Sequence, residues 1–143
     1  MNLESKNYFQ TNAAKIIDAM EKQAGKLQVK GVILVNRMDE NGHSWESYMK
    51  SVDIIKKVPD NPEGHTYPGY NYIGIAYSKA AEMADTKLNS GSEIRSPYQG
   101  EFGYPGGAIK KINSGYLLTV FSGATGEQDF EIAQAGIAAY SEE

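Results

Sequence analysis

In a chain of 143 residues, chemistry begins with the titratable and nucleophilic side chains, and here they are thinly spread. There is no cysteine, which excludes disulfides, thiolate metal sites and a cysteine nucleophile. The two histidines stand apart, His43 beside an Asn-Gly turn and His65 in a proline-containing stretch. A metal centre needs several convergent ligands. Neither a His-x-x-His pair nor a His/Asp cluster is present, so no metal is expected. No serine lies in a G-x-S-x-G elbow, and Ser122-Gly123-Ala124 reads as a turn at a strand end rather than a nucleophile. Residues 100–107, GEFGYPGG, lack both the strand-to-helix setting of a dinucleotide loop and the Lys-Ser/Thr of a phosphate loop. Asp129 is either a helix-start carboxylate favoured by the macrodipole or a ligand contact. Gly106-Gly107, beside Tyr104, permits close backbone approach, so a pocket forms most readily there.

The elements that must position these residues are most legible between Tyr104 and Tyr140. Ala108–Ile112 and Tyr116–Ser122 are short apolar-leaning runs separated by Asn113-Ser114-Gly115, a spacing that suits a β-hairpin. Both faces of the second run are largely apolar, which predicts a central strand covered on two sides. Thr125 stands three residues before Gln128, as in a capping box. The helix that follows carries Phe130, Ala133, Ile137 and Tyr140 on one stripe, widened by Ile132, Ala135 and Ala139.

Upstream, Ala13–Ala24 has amphipathic helical spacing, with Asn12 as the expected N-cap and Gly25 as the expected stop. Leu3, Tyr8 and Phe9 add an earlier turn or a docked arm. Val29–Met38 reads as a strand apolar on both faces, Asp39–Gly42 as a turn, and Ser44–Val52 as a return strand nearer an edge. Lys57–Tyr72 holds three of the five prolines and reads as a long loop, in which Tyr67, Tyr70 and Tyr72 call for partial burial. Ile73–Leu88 is the next helix, with Ile73, Ala76, Tyr77, Ala80, Ala84 and Leu88 on one stripe. Ser90–Gly103 is a second loop.

Composition bounds the function. The chain is long enough to bury a core, and its 41% hydrophobic and 22% charged content is ordinary for a globular protein, so one domain over residues 1–143 is expected. Net charge is −4; residues 59–143 carry five basic against eleven acidic side chains, and no dense basic stripe appears. Nucleic acid is therefore an unexpected partner. No run is long enough for a transmembrane helix. The first twelve residues lack the apolar core of a signal peptide, so a cytoplasmic location and no membrane partner are expected.

The order PGGAI, hairpin, FSGATGEQD and Ala-rich helix resembles the C-terminal half of the haem-degrading domain family, the GlcG/HbpS-like proteins. Gly106, Gly107, Ile109, Ser122, Gly123 and Asp129 match that family's pattern. Ala76, Lys79, Ala80 and Ala84 resemble its A-x-x-KA-x-x-A signature, and Asp39 to Gly42 its D-x-x-G turn. Two features depart from it: Ala108-Ile109 replaces apolar-Pro-Ile, and Leu118–Phe121 lacks a glycine. Lys57–Tyr72 has the character of an insertion.

The resemblance implies an α/β, profilin-like fold, an antiparallel sheet of about five strands with helices packed against it, and a symmetric homo-oligomer. It implies a ligand site made from Lys79, Tyr104, Gly106, Gly107, Ser122, Gly123 and Asp129. Lys79 is then either an anchor for an anion such as a haem propionate or an exposed helix lysine, and a tyrosine could ligate ferric haem. Three functions follow as expectations. One is a small-ligand-binding domain taking haem or a related small anion. Another is an enzyme acting on a small hydroxy acid or related metabolite, which requires Lys79 and Asp129 to converge. The last is a non-catalytic oligomeric sensory or assembly module.

Overall fold

The structure is a computed structural model that describes residues 3–142. Its centre is a four-stranded antiparallel sheet in the order β2-β1-β6-β5, formed by β1 (Gly31–Met38), β2 (Trp45–Val52), β5 (Gly107–Ile112) and β6 (Gly115–Ser122). Leu34 of β1 stands between Met49 of β2 and Val120 of β6. The two central strands are the two read as apolar on both faces, and every residue of β1 is buried. An interior strand with no wet face must be covered twice. Helices α1 (Leu3–Leu27) and α3 (Gly126–Ala139) cover one face, and α2 (Tyr72–Thr86) covers the other.

The two cores divide the strands by parity. Ile33, Val35, Leu117 and Phe121 point to α1 and α3, where they meet Phe9, Ile16, Met20 and Ile132. Val32, Leu34, Leu118 and Val120 point to α2, against Tyr72, Ala76, Ala80 and Met83. Burying a large aliphatic or aromatic side chain contributes roughly 1.5–3 kcal/mol, so these two layers supply the main drive to fold. The buried hydroxyl of Thr119 is satisfied: its Oγ1 donates to the Ala133 carbonyl at 2.7 Å, tying β6 to α3.

Several sequence expectations change. The first helix is twice as long as the Ala13–Ala24 stripe, because Tyr8 and Phe9 continue its apolar face onto the sheet and onto Ser141; the side chain of Leu3 lies outside the described residues. Asn12 is therefore interior rather than an N-cap. Its amide reaches back to the Tyr8 carbonyl at 3.4 Å, and its Oδ1 accepts from the Ser141 amide at 3.2 Å. Gly25 is helical too, and the chain leaves α1 through a left-handed Gln28 (φ 57°).

The sheet has four strands rather than about five. The Lys57–Tyr72 loop carries a small separate hairpin, β3 (Lys56–Lys57) with β4 (Tyr70–Asn71). Asn71 then caps α2, its side chain accepting from the amides of Ile73 and Gly74. The buried stripe of α2 is rotated from the expected one. Lys79 and Met83 are buried, while Tyr77 is 40% and Leu88 43% exposed. A left-handed Lys87 (φ 60°) ends the helix before Leu88 can turn inward. The capping box of α3 forms as read, with Thr125 Oγ1 accepting from Gln128 N and Gln128 Oε1 accepting from Thr125 N, both at 3.2 Å.

Chemical denaturation separates these two stripes. Leu117→Ala is expected to lose about 2–5 kcal/mol of unfolding free energy, and Leu88→Ser to change it by less than about 0.5 kcal/mol.

Candidate functional site

Beyond the end of β6 the chain turns through Gly123 and Ala124 into α3, and this corner is where α2 and α3, on opposite faces of the sheet, come within reach of each other. Gly123 holds φ at 141°, and a Cβ there would lie 2.4 Å from the Lys30 carbonyl oxygen, so only glycine lets the chain pass. Asp129, in the first turn of α3, is directed back under the corner. Its Oδ1 accepts from the Ala124 amide at 2.9 Å. Its Oδ2 meets Lys79 Nζ at 3.0 Å, and the same ammonium donates to the Phe121 carbonyl at 2.8 Å. The side chains of Lys79 and Asp129 are only 2% and 6% exposed.

Gly106 closes the back of this pair. A Cβ at position 106 would stand 2.5 Å from Lys79 Nζ and 2.6 Å from Asp129 Cβ. Burial pushes the Lys79 ammonium below its ordinary value of 10.5 and the Asp129 carboxyl above its ordinary value of 3.8. Their mutual attraction and hydrogen bond oppose both shifts, and the Ala124 and Gly123 amides further favour the carboxylate. Two of the three ammonium protons are engaged, which leaves one donor.

The pair forms part of the wall of a cavity of about 390 Å³, whose other walls are Tyr70, Tyr72, Ile75, Tyr104, Pro105, Ser122, Gly123, Ala124 and Gly126. Its aromatic side is layered. Tyr72 lies nearly parallel to Tyr70 (ring centroids 6.3 Å apart, 9° between planes), Tyr70 stacks on Tyr67 at 4.6 Å, and His65 tilts against Tyr67 at 5.8 Å. Phe102 stacks at 5.3 Å on Tyr104, the other aromatic wall residue. Burial, and then the negative charge of Asp129, pushes the Tyr72 phenol above its ordinary value.

Five of the seven residues named from the sequence, Lys79, Tyr104, Ser122, Gly123 and Asp129, therefore line one cavity. Gly106 supports the ion pair from behind. Gly107 faces elsewhere: its amide donates to Ser90 Oγ at 2.8 Å, and a Cβ there would strike Met83. Tyr70 and Tyr72 were not among the seven; the tyrosine density of the loop was their only sequence signal. His43 is an exposed turn residue whose amide donates to Asp39 Oδ1 at 2.6 Å. Among the described residues no three His, Cys, Asp or Glu side chains are grouped to hold a metal.

A larger cavity, about 470 Å³, lies under residues 91–103. Its cation is already spent, because Arg95 bonds Glu101 at 2.8 Å and Asp85 at 2.7 Å and lies 3.6 Å over the Tyr98 ring. Those carboxylates hold the guanidinium in its charged form. That loop reads as a structural staple, and the Lys79 cavity is the better candidate for chemistry.

A buried ion pair is costly to halve and nearly neutral to replace. Lys79→Met or Asp129→Asn alone is expected to lose about 3–5 kcal/mol, and the double variant, which keeps an acceptor for the Ala124 amide, to regain most of it. The pH dependence has a defined sign. Folded Asp129 keeps a proton that the unfolded chain has released, so its contribution declines as pH rises above 3.8. Folded Lys79 has lost a proton that the unfolded chain still holds, so its contribution grows as pH approaches 10.5. Unfolding free energies of wild type minus double variant, measured across pH, should trace a trough between those limits.

No protein family and no curated protein sequence matches this chain. Solved structures do. The crystal structure of Klebsiella pneumoniae protein ORFY, which carries the family designation DUF336, superposes with a TM-score of 0.62 at 19% identity, over 90% of this chain and 87% of that one. The PduOC:Heme complex superposes with a TM-score of 0.59 at 20% identity, over 92% and 93% of the two chains. The likeness is one of fold: this chain has the helix-covered antiparallel α/β sheet that those two structures have.

Proposed function

We propose that this chain is a small-ligand-binding domain of the haem-degrading, GlcG/HbpS-like type, which takes haem or a related small anionic ligand at the Lys79 cavity and works as a homo-oligomer. The observation that carries the reading is the buried ammonium of Lys79, with one donor left, in the wall of a tyrosine-lined cavity. A cavity of about 390 Å³ lies in the range of roughly 300–1,000 Å³ that small-molecule sites occupy. The motif resemblance at Gly106, Gly107, Ser122, Gly123 and Asp129 supports the family. The shared fold of a protein described as a haem complex supports the ligand.

The residues present fit a planar anion. Tyr70, Tyr72 and Tyr104 make part of the wall aromatic, and Lys79 offers a charged donor to a carboxylate, the stronger kind of hydrogen bond. If ferric haem were the ligand, an oxygen donor to its iron would come from a lining tyrosine, Tyr104 being the one named from the sequence; no histidine lines the cavity. Bound haem would supply redox chemistry, while the chain's own groups would hold the carboxylate, give the ring an aromatic wall and exclude water from the ion pair.

The 3.0 Å Lys79–Asp129 contact favours a second reading, an enzyme acting on a small hydroxy acid or related metabolite. Two groups pushed toward their neutral forms by burial can share a proton, which suits general acid–base work. A purely sensory or assembly role needs no ligand at all.

Titration of the purified protein with ferric haem is expected to shift the Soret band at micromolar protein. Lys79→Met should weaken binding by about tenfold or more, and Tyr104→Phe should alter the spectrum while leaving a bound state. An unshifted Soret band would remove haem. Turnover of small 2-hydroxy acids by wild type, lost in Asp129→Asn, would then establish the second reading.

A further inference from the structure

Strand β2 is one edge of the sheet, and among the described residues no strand pairs with its outer side. Between Trp45 and Ser51 no hydrogen bond joins that edge to any other backbone among the described residues. Its register with β1 places Trp45, Ser47, Met49 and Ser51 on the α2 side of the sheet, yet α2 lies over β1, β6 and β5 rather than β2. Trp45 is consequently 40% and Met49 42% exposed, beside the 40% exposed Tyr77, whose hydroxyl donates to Ser47 Oγ at 3.1 Å. A long edge with a tryptophan and a methionine open to water is a surface that proteins ordinarily shield or use.

We infer that this edge pairs with β2 of a second copy of the chain, antiparallel about a two-fold axis at Tyr48, and that the sheet continues through the resulting dimer. The strand WESYMKSV is self-complementary in that register. Placing Tyr48 opposite itself sets Ser47 opposite Met49, Trp45 opposite Ser51, and Glu46 opposite Lys50. A two-fold interface repeats each contact, so the pairing yields two Glu–Lys cross-strand pairs on the α1 side of the sheet. On the α2 side, Trp45 of each copy becomes the diagonal neighbour of the other's Met49, within reach for rings and long side chains.

The state of Glu46 in the single chain agrees with this. Its carboxylate lies 3.9 Å from Arg37 Nε, and its Oε1 has no hydrogen-bond partner. Lys50, half-exposed, makes a surface contact with Glu21 at 3.0 Å, the kind that is easily exchanged. Lysine on an edge repels most strands; in this register it meets an opposite charge, which makes the edge selective for its own copy. The inference rests on the homo-oligomer of the proposed function, whose interface it names, and is independent of the ligand at the Lys79 cavity.

The test uses sedimentation velocity together with the emission of Trp45, the single tryptophan of the chain. Wild type from about 1 to 200 µM, the range of a weak to moderate homodimer, should pass from monomer to dimer. Its emission should shift to the blue along the same curve. Lys50→Glu, which sets two carboxylates opposite one another, should weaken dimerisation by about tenfold or more. Lys110→Glu makes the same charge change on β5, the opposite edge of the sheet, and should leave it unaltered. A monomer at every concentration, a dimer whose tryptophan emission does not move, or equal loss in the two charge variants would each overturn the assignment.

Discussion

Strands β1 and β6 are buried on both faces, and the rest of the molecule follows from that constraint. Their backbone groups are satisfied only by neighbours in the sheet, and their side chains only by a layer above and a layer below. Two strands flank them, two helices close one face and one helix closes the other. A chain of this length has little apolar surface to spare, so the sheet stays narrow. Its edge at β2 is left with only one face covered.

The same constraint creates the polar corner. Helices on opposite faces of a sheet cannot touch through it; they can touch only past its end. Lys79 of α2 and Asp129 of α3 meet at the end of β6, where Phe121 still has a carbonyl to offer and Gly106 has no side chain to intervene. Burying two charges there carries a desolvation cost that packed apolar side chains would avoid. A chain that retains such a pair in a cavity wall, beside three tyrosines, holds a reactive arrangement at a place where stability alone would favour leucine and methionine. That contrast separates this corner from the Arg95 staple, where the guanidinium is partly open to water, its Asp85 partner is exposed, and the contacts hold a loop in shape.

Glycine marks both kinds of constraint. At Gly123 the chain must cross close to the Lys30 carbonyl to leave the sheet. At Gly106 it must leave room for two charged side chains. The first is a demand of topology and the second a demand of the site, although the residue type is the same.

Much of the fold was legible because it depends on short-range pattern. Two-sided apolar runs at Val29–Met38 and Tyr116–Ser122 can only be interior strands, Asn-Gly and Asn-Ser-Gly can only be turns, and Thr125 with Gln128 specifies a helix start through groups three residues apart. What local pattern could not carry was set by partners distant in sequence. Asn12 is a good cap by type but became interior because Ser141 and the sheet extend α1 past it. Tyr77 lies on the apolar stripe yet stays wet, because Lys79, an ordinary surface residue by composition, is drawn inward by Asp129 fifty positions away. The sequence alone thus determined which strands are central and where α3 begins. Only the tertiary structure decided which face of α2 is buried, and that Lys79, Asp129 and three tyrosines share one cavity, since those outcomes depend on charges and rings meeting across the end of a sheet.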